Sequence, residues 1–387
     1  MSPKLRGLAI GIAGFCTFIN LYSPQALLPL LAQEFGVGVV AISMTIAAAA
    51  LAVAVTAPFS GAAADVLGRK RVILAAMAAL SVPTLLVAFA PDVPTMVFWR
   101  FVQGLMLPPI FVVAIAYVGE EWPASEVAGA AGLYTAGASL GGTAGRFVTG
   151  LLTDLVGWRG AYAVLALLTL GCALAVALML PRERAFVRSE SLALSLRQML
   201  RHFRNPQLLA TYAVGFGTLF NFIATFTYVT FLLAAPPYGF SATMLGTVFL
   251  TYLAGAAITP MTGRALARWG RRPFMLGVLG LWTGGIVLTL APSLLAIIAG
   301  LTLCAVCGLL SQAVSTGYVT ITATEGRSSA VGLYVTCFYI GGGFGALLPG
   351  LAWNAAGWPA CVAMVVAMLA VMALVVRLVW TPSPARV

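Results

Sequence analysis

Apolar residues run through this chain in blocks of about 20, without the strict alternation of a strand. A membrane barrel would alternate inward and outward positions over about 10 residues per strand. Helices satisfy their own backbone hydrogen bonds, as hydrocarbon requires, so the blocks predict membrane-spanning helices. Polar breaks place twelve spans near 7–30, 38–60, 71–90, 95–118, 127–151, 158–180, 207–233, 241–262, 273–291, 293–316, 329–352 and 357–379. The first block follows Lys4 and Arg6, in the manner of a secretory signal. It is too long for a signal core, lacks a small-x-small cleavage site and continues towards Leu31, so it reads as an uncleaved first span.

One stretch breaks the rhythm. "RERAFVRSESLALSLRQMLRHFRNP" (182–206) is charged, and its apolar residues have amphipathic helical spacing. It predicts a helix lying on the membrane surface between two six-helix halves, 1–181 and 207–387. The halves repeat at an offset of 200 to 202 residues: Pro58 meets Pro260, Gly61 meets Gly263, Gly68 meets Gly270 and Arg69 meets Arg271. Asn20 meets Asn221, Gly157-Trp158 meets Gly357-Trp358, and "GLYTAGASLGGTAGR" (132–146) meets "GLYVTCFYIGGGFGA" (332–346). Shared glycines and prolines in one register predict two bundles related by pseudo-symmetry, an all-α membrane fold. Ala346 stands where Arg146 does, so the scaffold repeats and the charge does not.

Composition and charge narrow the class. The chain has 387 residues, 61% hydrophobic and 8% charged, against about 25% charged in soluble domains. The net charge of +11 looks like a nucleic-acid signal until it is mapped. With both termini in the cytoplasm, eighteen of the 21 Lys and Arg fall on that side. Arg159 falls outside and Arg100 and Arg146 fall within spans, which is a positive-inside pattern and argues against a nucleic-acid partner. Attraction to anionic headgroups follows as a by-product. All six cysteines lie in spans, so Cys304-x-x-Cys307 reads as a pair of small packing residues, not a metal or redox site. His202, in the linker, reads as solvated. No Walker loop occurs, no nucleophile–base pair appears, and no cofactor or metal is expected.

Between spans 2 and 3, "GAAADVLGRKR" resembles the signature loop of the major facilitator superfamily, and 259–276 carries a weaker second copy. The loop departs from the family pattern at Val66, where a basic residue is usual, and the second copy has Ala267 where the aspartate would be. The resemblance spans the whole chain and implies that fold: twelve transmembrane helices in two pseudo-symmetric six-helix bundles. It implies a cytoplasmic latch in which Gly61 and Gly68 allow a tight turn, Asp65 meets the N-terminus of span 11, and Arg69 pairs with Glu120 or Glu121. Lys70 and Arg71 read as topology charges alone.

"RFVQG" (100–104) resembles the family's second motif, whose arginine is implicated in proton coupling. Arg100 inside a span faces either the bundle interior or, by snorkelling, the outer headgroups. "GASLGGTAGR" (137–146) resembles the signature of proton-driven exporters through Gly137, Gly141 and Gly145, with Gly142 and Arg146 replacing a proline and a glycine. With Gly341 and Gly345 these form helix-packing stripes, expected to hold the two halves together or simply to pack helices. All ten acids lie at span ends or in loops. Coupling therefore falls on Glu34 or Asp154 tuned by Arg100 or Arg146, or those acids are solvated loop charges.

Asn20, Gln25, Asn221, Tyr228, Gln312 and Tyr334 are the candidate cavity residues, with helix-to-helix hydrogen bonding as the alternative for the asparagines. Two arginines without a central acid favour neutral or anionic solutes over organic cations. The expectation is a multi-pass protein of the bacterial inner membrane, resembling the proton-coupled drug and metabolite exporters. It would act as a monomer on small amphipathic molecules, with protons as coupling ion. Proton-coupled uptake of a small anionic or sugar-like solute is the alternative. A membrane sensor would predict an appended domain, and only ten residues follow Arg377.

Overall fold

The computed structural model describes residues 3–123, 125–181, 183, 201–323 and 326–381. The expected surface helix of the 182–206 linker lies largely outside them, as do Glu190, Glu325 and Arg386. Every regular element among the described residues is a helix. In order they are α1 (Pro3–Tyr22), α2 (Leu28–Glu34), α3 (Val39–Leu67), α4 (Arg69–Ala88), α5 (Val93–Met106), α6 (Pro108–Glu121) and α7 (Val127–Met179). There follow α8 (Pro206–Ala234), α9 (Ala242–Val248), α10 (Thr251–Ile258), α11 (Thr262–Trp269), α12 (Arg271–Leu288), α13 (Leu294–Thr322) and α14 (Arg327–Val379), with a 3-10 turn at Thr259–Met261.

Nine stretches among the described residues are long and apolar enough to cross a membrane, and two of them are of double length. The 53-residue α7 holds spans 5 and 6 and breaks at Gly157, φ 76°. The 53-residue α14 holds spans 11 and 12 and breaks at Ala356 and Gly357, the latter at φ 64°. A side chain at such φ is strained, so glycine recurs at both corners. Span 9 is α12, whose leading Arg271 and Arg272 lower its mean hydropathy. The twelve spans of the sequence are all present.

Three spans differ from the sequence reading in being broken. Span 1 stops at Tyr22 and resumes as α2, because Pro24 cannot supply the amide that the helix needs. Span 8 divides into α9 and α10, followed by the 3-10 turn and α11. Span 4 is also jointed, at Leu107 before Pro108-Pro109.

The repeat extends to single contacts. A Cβ at Gly141 would stand 2.3 Å from the carbonyl oxygen of Phe15, and one at Gly145 2.6 Å from that of Ile19. One at Gly341 would stand 2.0 Å from the oxygen of Phe216, and one at Gly345 2.4 Å from that of Phe220. Each pair is its counterpart at an offset of 200 or 201. Gly137 meets the Gly11 oxygen in the same way, at 2.0 Å. The stripes therefore seat span 5 on span 1 and span 11 on span 7, as helix packing requires. A Cβ there would collide with backbone, which cannot move aside as a side chain can.

The chain forms two compact units, Met1–Leu192 with Leu233–Phe249, and Ala193–Leu232 with Leu250–Val387. The first part of span 8, α9, thus belongs with the first unit. There Gly150 faces the oxygen of Ala242 at 2.4 Å, and Gly246 faces the Cα of Phe147 at 2.8 Å, both measured from where a Cβ would sit.

Candidate functional site

The break in span 1 gathers the first unit's buried charge. Ending α1 at Tyr22 frees carbonyls at its C-terminus, the negative end of the helix dipole. Arg100, fully buried on α5, fills that vacancy. Its Nη1 donates to the Asn20 oxygen at 2.9 Å, its Nη2 to the Leu21 oxygen at 2.5 Å, and its Nε to the Thr45 oxygen at 3.1 Å. Nη1 also donates to Gln103 Oε1 at 2.7 Å. All four acceptors are neutral. Gln103 donates on to Thr84 at 2.7 Å, Thr84 to Asn20 Oδ1 at 2.9 Å, and Asn20 to Thr169 at 2.9 Å. The structure thus places Arg100 in the interior rather than at the headgroups. Asn20 is a buried link between spans 1, 3 and 6.

Arg146 reaches the same break from α7. It too is fully buried. Its Nε donates to Gln25 Oε1 at 2.7 Å and its Nη1 to the Gly142 oxygen at 2.6 Å. The guanidinium lies 4.0 Å from the Tyr22 ring centroid and 4.6 Å from that of Phe249. Tyr22 ends α1, Gln25 belongs to the turn, and Phe249 follows α9. Arg146 is therefore bracketed by two aromatic faces, an arrangement that stabilises a cation in a dry site. The Ser23-Pro24 pair was the sequence signal for this turn.

The second unit handles the equivalent slot without charge. Tyr228 donates its hydroxyl to the oxygen of Ala346 at 2.5 Å, at the position where Arg146 stands in the first copy. Asn221 is buried, donates to Met372 Sδ at 3.3 Å, and leaves its Oδ1 without a hydrogen bond. Tyr334 is buried with its ring against Gly215, and its hydroxyl makes no hydrogen bond. Gln312 is half-buried on α13. Of the candidates in the first unit, Gln25 joins Arg146 through its side chain and Asn20 joins Arg100 through its carbonyl.

The two ends of the first unit carry the remaining candidates. At one end Arg69 donates from Nε and Nη2 to both carboxylate oxygens of Glu120, and Nη2 lies 3.0 Å from Asp65 Oδ1. The arginine thus pairs with Glu120, not Glu121, whose carbonyl accepts from Arg6 at 2.8 Å. Gly68 turns at φ 92°. A Cβ at Gly61 would meet nothing within 4 Å. Lys70 does more than set topology: its Nζ donates to the carbonyls of Ala177, at 3.0 Å, and Leu180, closing the end of α7. His202 is not solvated; it is buried, 3.2 Å from the Gly326 oxygen.

At the other end Glu34 accepts from Trp158 Nε1 and from Arg159, both at 2.7 Å. Burial pushes its carboxyl up, but these bonds and the Arg159 charge outweigh that and hold it below its ordinary range. Asp154, in the turn between spans 5 and 6, accepts from Ser241 Oγ at 2.8 Å and from the Thr243 amide at 2.9 Å. Burial again acts upward, and the donors of the α9 N-terminus outweigh it, so this carboxyl also lies low. Among the described residues no group of three or more His, Cys, Asp or Glu is placed to hold a metal.

Twelve spanning helices built from a repeated half, with fixed cations buried at a broken helix, define a membrane transporter. The sequence profile of the Major Facilitator Superfamily matches residues 10–258 and 214–387. The chain is 33% identical over 374 residues to the inner membrane transport protein YnfM of Escherichia coli (strain K12), covering 95% of this chain and 88% of that one. It is 29% identical over 373 residues to the MFS-type transporter YybF of Bacillus subtilis (strain 168), covering 96% and 92%. Among solved structures, nucleoside transporter NupG (D323A mutant) superposes with a TM-score of 0.81 at 14% identity, over 97% of this chain and 100% of that one. This chain belongs to the major facilitator superfamily and is a transporter rather than an enzyme.

Proposed function

We propose that this protein is a secondary active transporter that exports small amphipathic molecules, neutral or anionic, by alternating access with proton antiport. The observation that carries the reading is Arg146, a fully buried cation held between Tyr22 and Phe249 and bonded to Gln25. A fixed charge flanked by aromatic faces recognises a molecule with an apolar body and an acceptor or anionic group, and it repels organic cations. Arg100 adds a second positive charge at the same break.

In this reading the moving bundles are residues 1–181 and 207–387, joined by 182–206, and the first part of span 8 changes partners. While Asp154 holds the α9 N-terminus, Phe249 covers Arg146. Release of α9 uncovers the arginine and strips Asp154 of its donors, which returns its carboxyl towards the ordinary range. A proton therefore favours the uncovered state, and by reciprocity uncovering favours the proton. The Asp65–Arg69–Glu120 cluster serves as the latch at the opposite end. The name of the E. coli relative supports an inner-membrane location, and the arginine distribution supports cytoplasmic termini.

The test is a solute panel in proteoliposomes, with a pH gradient imposed in each direction. Anionic and neutral amphiphiles should move against the proton, and organic cations should not. Concentrative flux that survives collapse of the gradient rejects proton coupling. Flux restricted to organic cations rejects the site.

A further inference from the structure

The second copy of the signature loop keeps Arg69 and Lys70 as Arg271 and Arg272 without their carboxylate partners, and adds Arg264 and Arg268 where the first copy has Ala62 and Val66. In the first unit Arg69 is closed by Asp65 and Glu120. At the equivalent positions Asp65 becomes Ala267 and, aligning Tyr117-Val118 with Tyr318-Val319, Glu120 becomes Ile321. Arg271, the counterpart of Arg69, turns to the Tyr318 ring, 4.8 Å from its centroid. Arg264 and Arg268 are exposed on α11, and Arg272 donates to the Arg377 carbonyl. No aspartate or glutamate occurs among the described residues of this unit.

Beside these arginines runs a continuous apolar groove. One part, about 410 Å³, is lined by Trp269, Pro273, Phe274, Gly277, Leu281 and Leu310. An adjoining part, about 390 Å³, shares Trp269, Phe274 and Leu310 and is bordered by Arg264 and Arg268. Trp269 is 57% exposed and stacks on Phe274 with ring centroids 6.1 Å apart. Gly277 leaves the floor open, since a Cβ there would meet nothing within 4 Å. A groove with cations at its mouth, an indole at the rim and hydrocarbon along its floor matches a phospholipid in cross-section.

We propose that an anionic phospholipid binds here, its phosphate between Arg264 and Arg268 and an acyl chain along Phe274, Gly277 and Leu281. A free phosphate would leave the groove empty, and a zwitterionic lipid would leave the arginines uncompensated. The inference requires only that the chain spans a bilayer, and is independent of the transported solute or its direction.

The full-length protein is reconstituted in phosphatidylcholine vesicles containing brominated phosphatidylglycerol or, separately, brominated phosphatidylcholine. Quenching of Trp269 is taken as the difference from Trp269→Phe. Phosphatidylglycerol should displace phosphatidylcholine at this site. Arg264→Gln with Arg268→Gln should cut that preference by about 25-fold, at about fivefold per arginine near a membrane surface. Gly277→Phe, which fills the floor and keeps the arginines, should abolish Trp269 quenching by both lipids. Equal quenching by the two lipids in the unsubstituted protein overturns the proposal. So does a preference that survives the double substitution, or one that millimolar inorganic phosphate erases.

Discussion

Replacing Arg146 with glutamine separates its charge from its hydrogen bonds. Two desolvated cation–π contacts, at 4.0 and 4.6 Å, are lost at about 1–2 kcal/mol each. The bonds to Gln25 and Gly142 lose their charge assistance, about 1 kcal/mol apiece. Against this, the membrane interior no longer holds a cation, a relief of about 3 kcal/mol on insertion scales. The sum is a net destabilisation of about 1–3 kcal/mol, small enough to leave a folded protein. Thermal melting with a thiol-reactive dye reports it, because all six cysteines are free and buried or half-buried. Transport should suffer far more. A charge-assisted bond to solute worth about 2 kcal/mol corresponds to about thirtyfold in apparent affinity. Arg146→Lys keeps the charge without the planar fork and should fall between. Wild-type transport by Arg146→Gln refutes the role. So does a melting loss equal in the Gln and Lys variants with transport falling in proportion to folded protein.

Gly141→Ala and Gly341→Ala should each cost about 1–3 kcal/mol in melting, whereas Gly280→Ala, with open space, should be neutral or slightly stabilising; equal effects would discard the stripe argument. Asp154→Asn should speed amide exchange across 241–248 by about tenfold. Because this carboxyl is held low, its grip on α9 is complete above the ordinary aspartate range and lost as pH falls through the lowered value; the unsubstituted protein should reach the variant's exchange only in acid, and identical profiles would sink the latch. Glu120→Gln should lower the melting temperature more than Asp65→Asn, since it removes the two-oxygen partner of Arg69 while the latter removes an i,i+4 pair of about 0.5 kcal/mol.

Periodicity made the spans legible, because hydrocarbon leaves a helix no other choice, and the repeat was legible because glycines and prolines answer to backbone geometry. Gly157 and Gly357 mark the same corner for the same reason. What the sequence hid was direction. Asn20 and Asn221 align, yet one joins a hydrogen-bonded chain and the other meets Met372. Gly137, Gly141 and Gly145 announced a close helix without saying that it was span 1. Arg100 and Arg146 announced buried charge, but their shared destination depends on the break at Pro24. The fate of Lys70 depended on where α7 ends, a meeting of residues more than a hundred apart in the chain.

The placement of the two arginines' acceptors also bears on how the protein is made. Span 1 leaves the ribosome before spans 4 and 5, carrying the carbonyls of Asn20 and Leu21 together with Tyr22 and Gln25. Spans 4 and 5 follow, each bringing a guanidinium that a bare bilayer resists by about 3 kcal/mol. Each cation thus arrives after its partners in span 1, and Phe249 closes over Arg146 later. Membrane insertion of these two spans should then depend on span 1: removing its acceptors should lower the inserted fraction of spans 4 and 5 more than that of span 2 or 3.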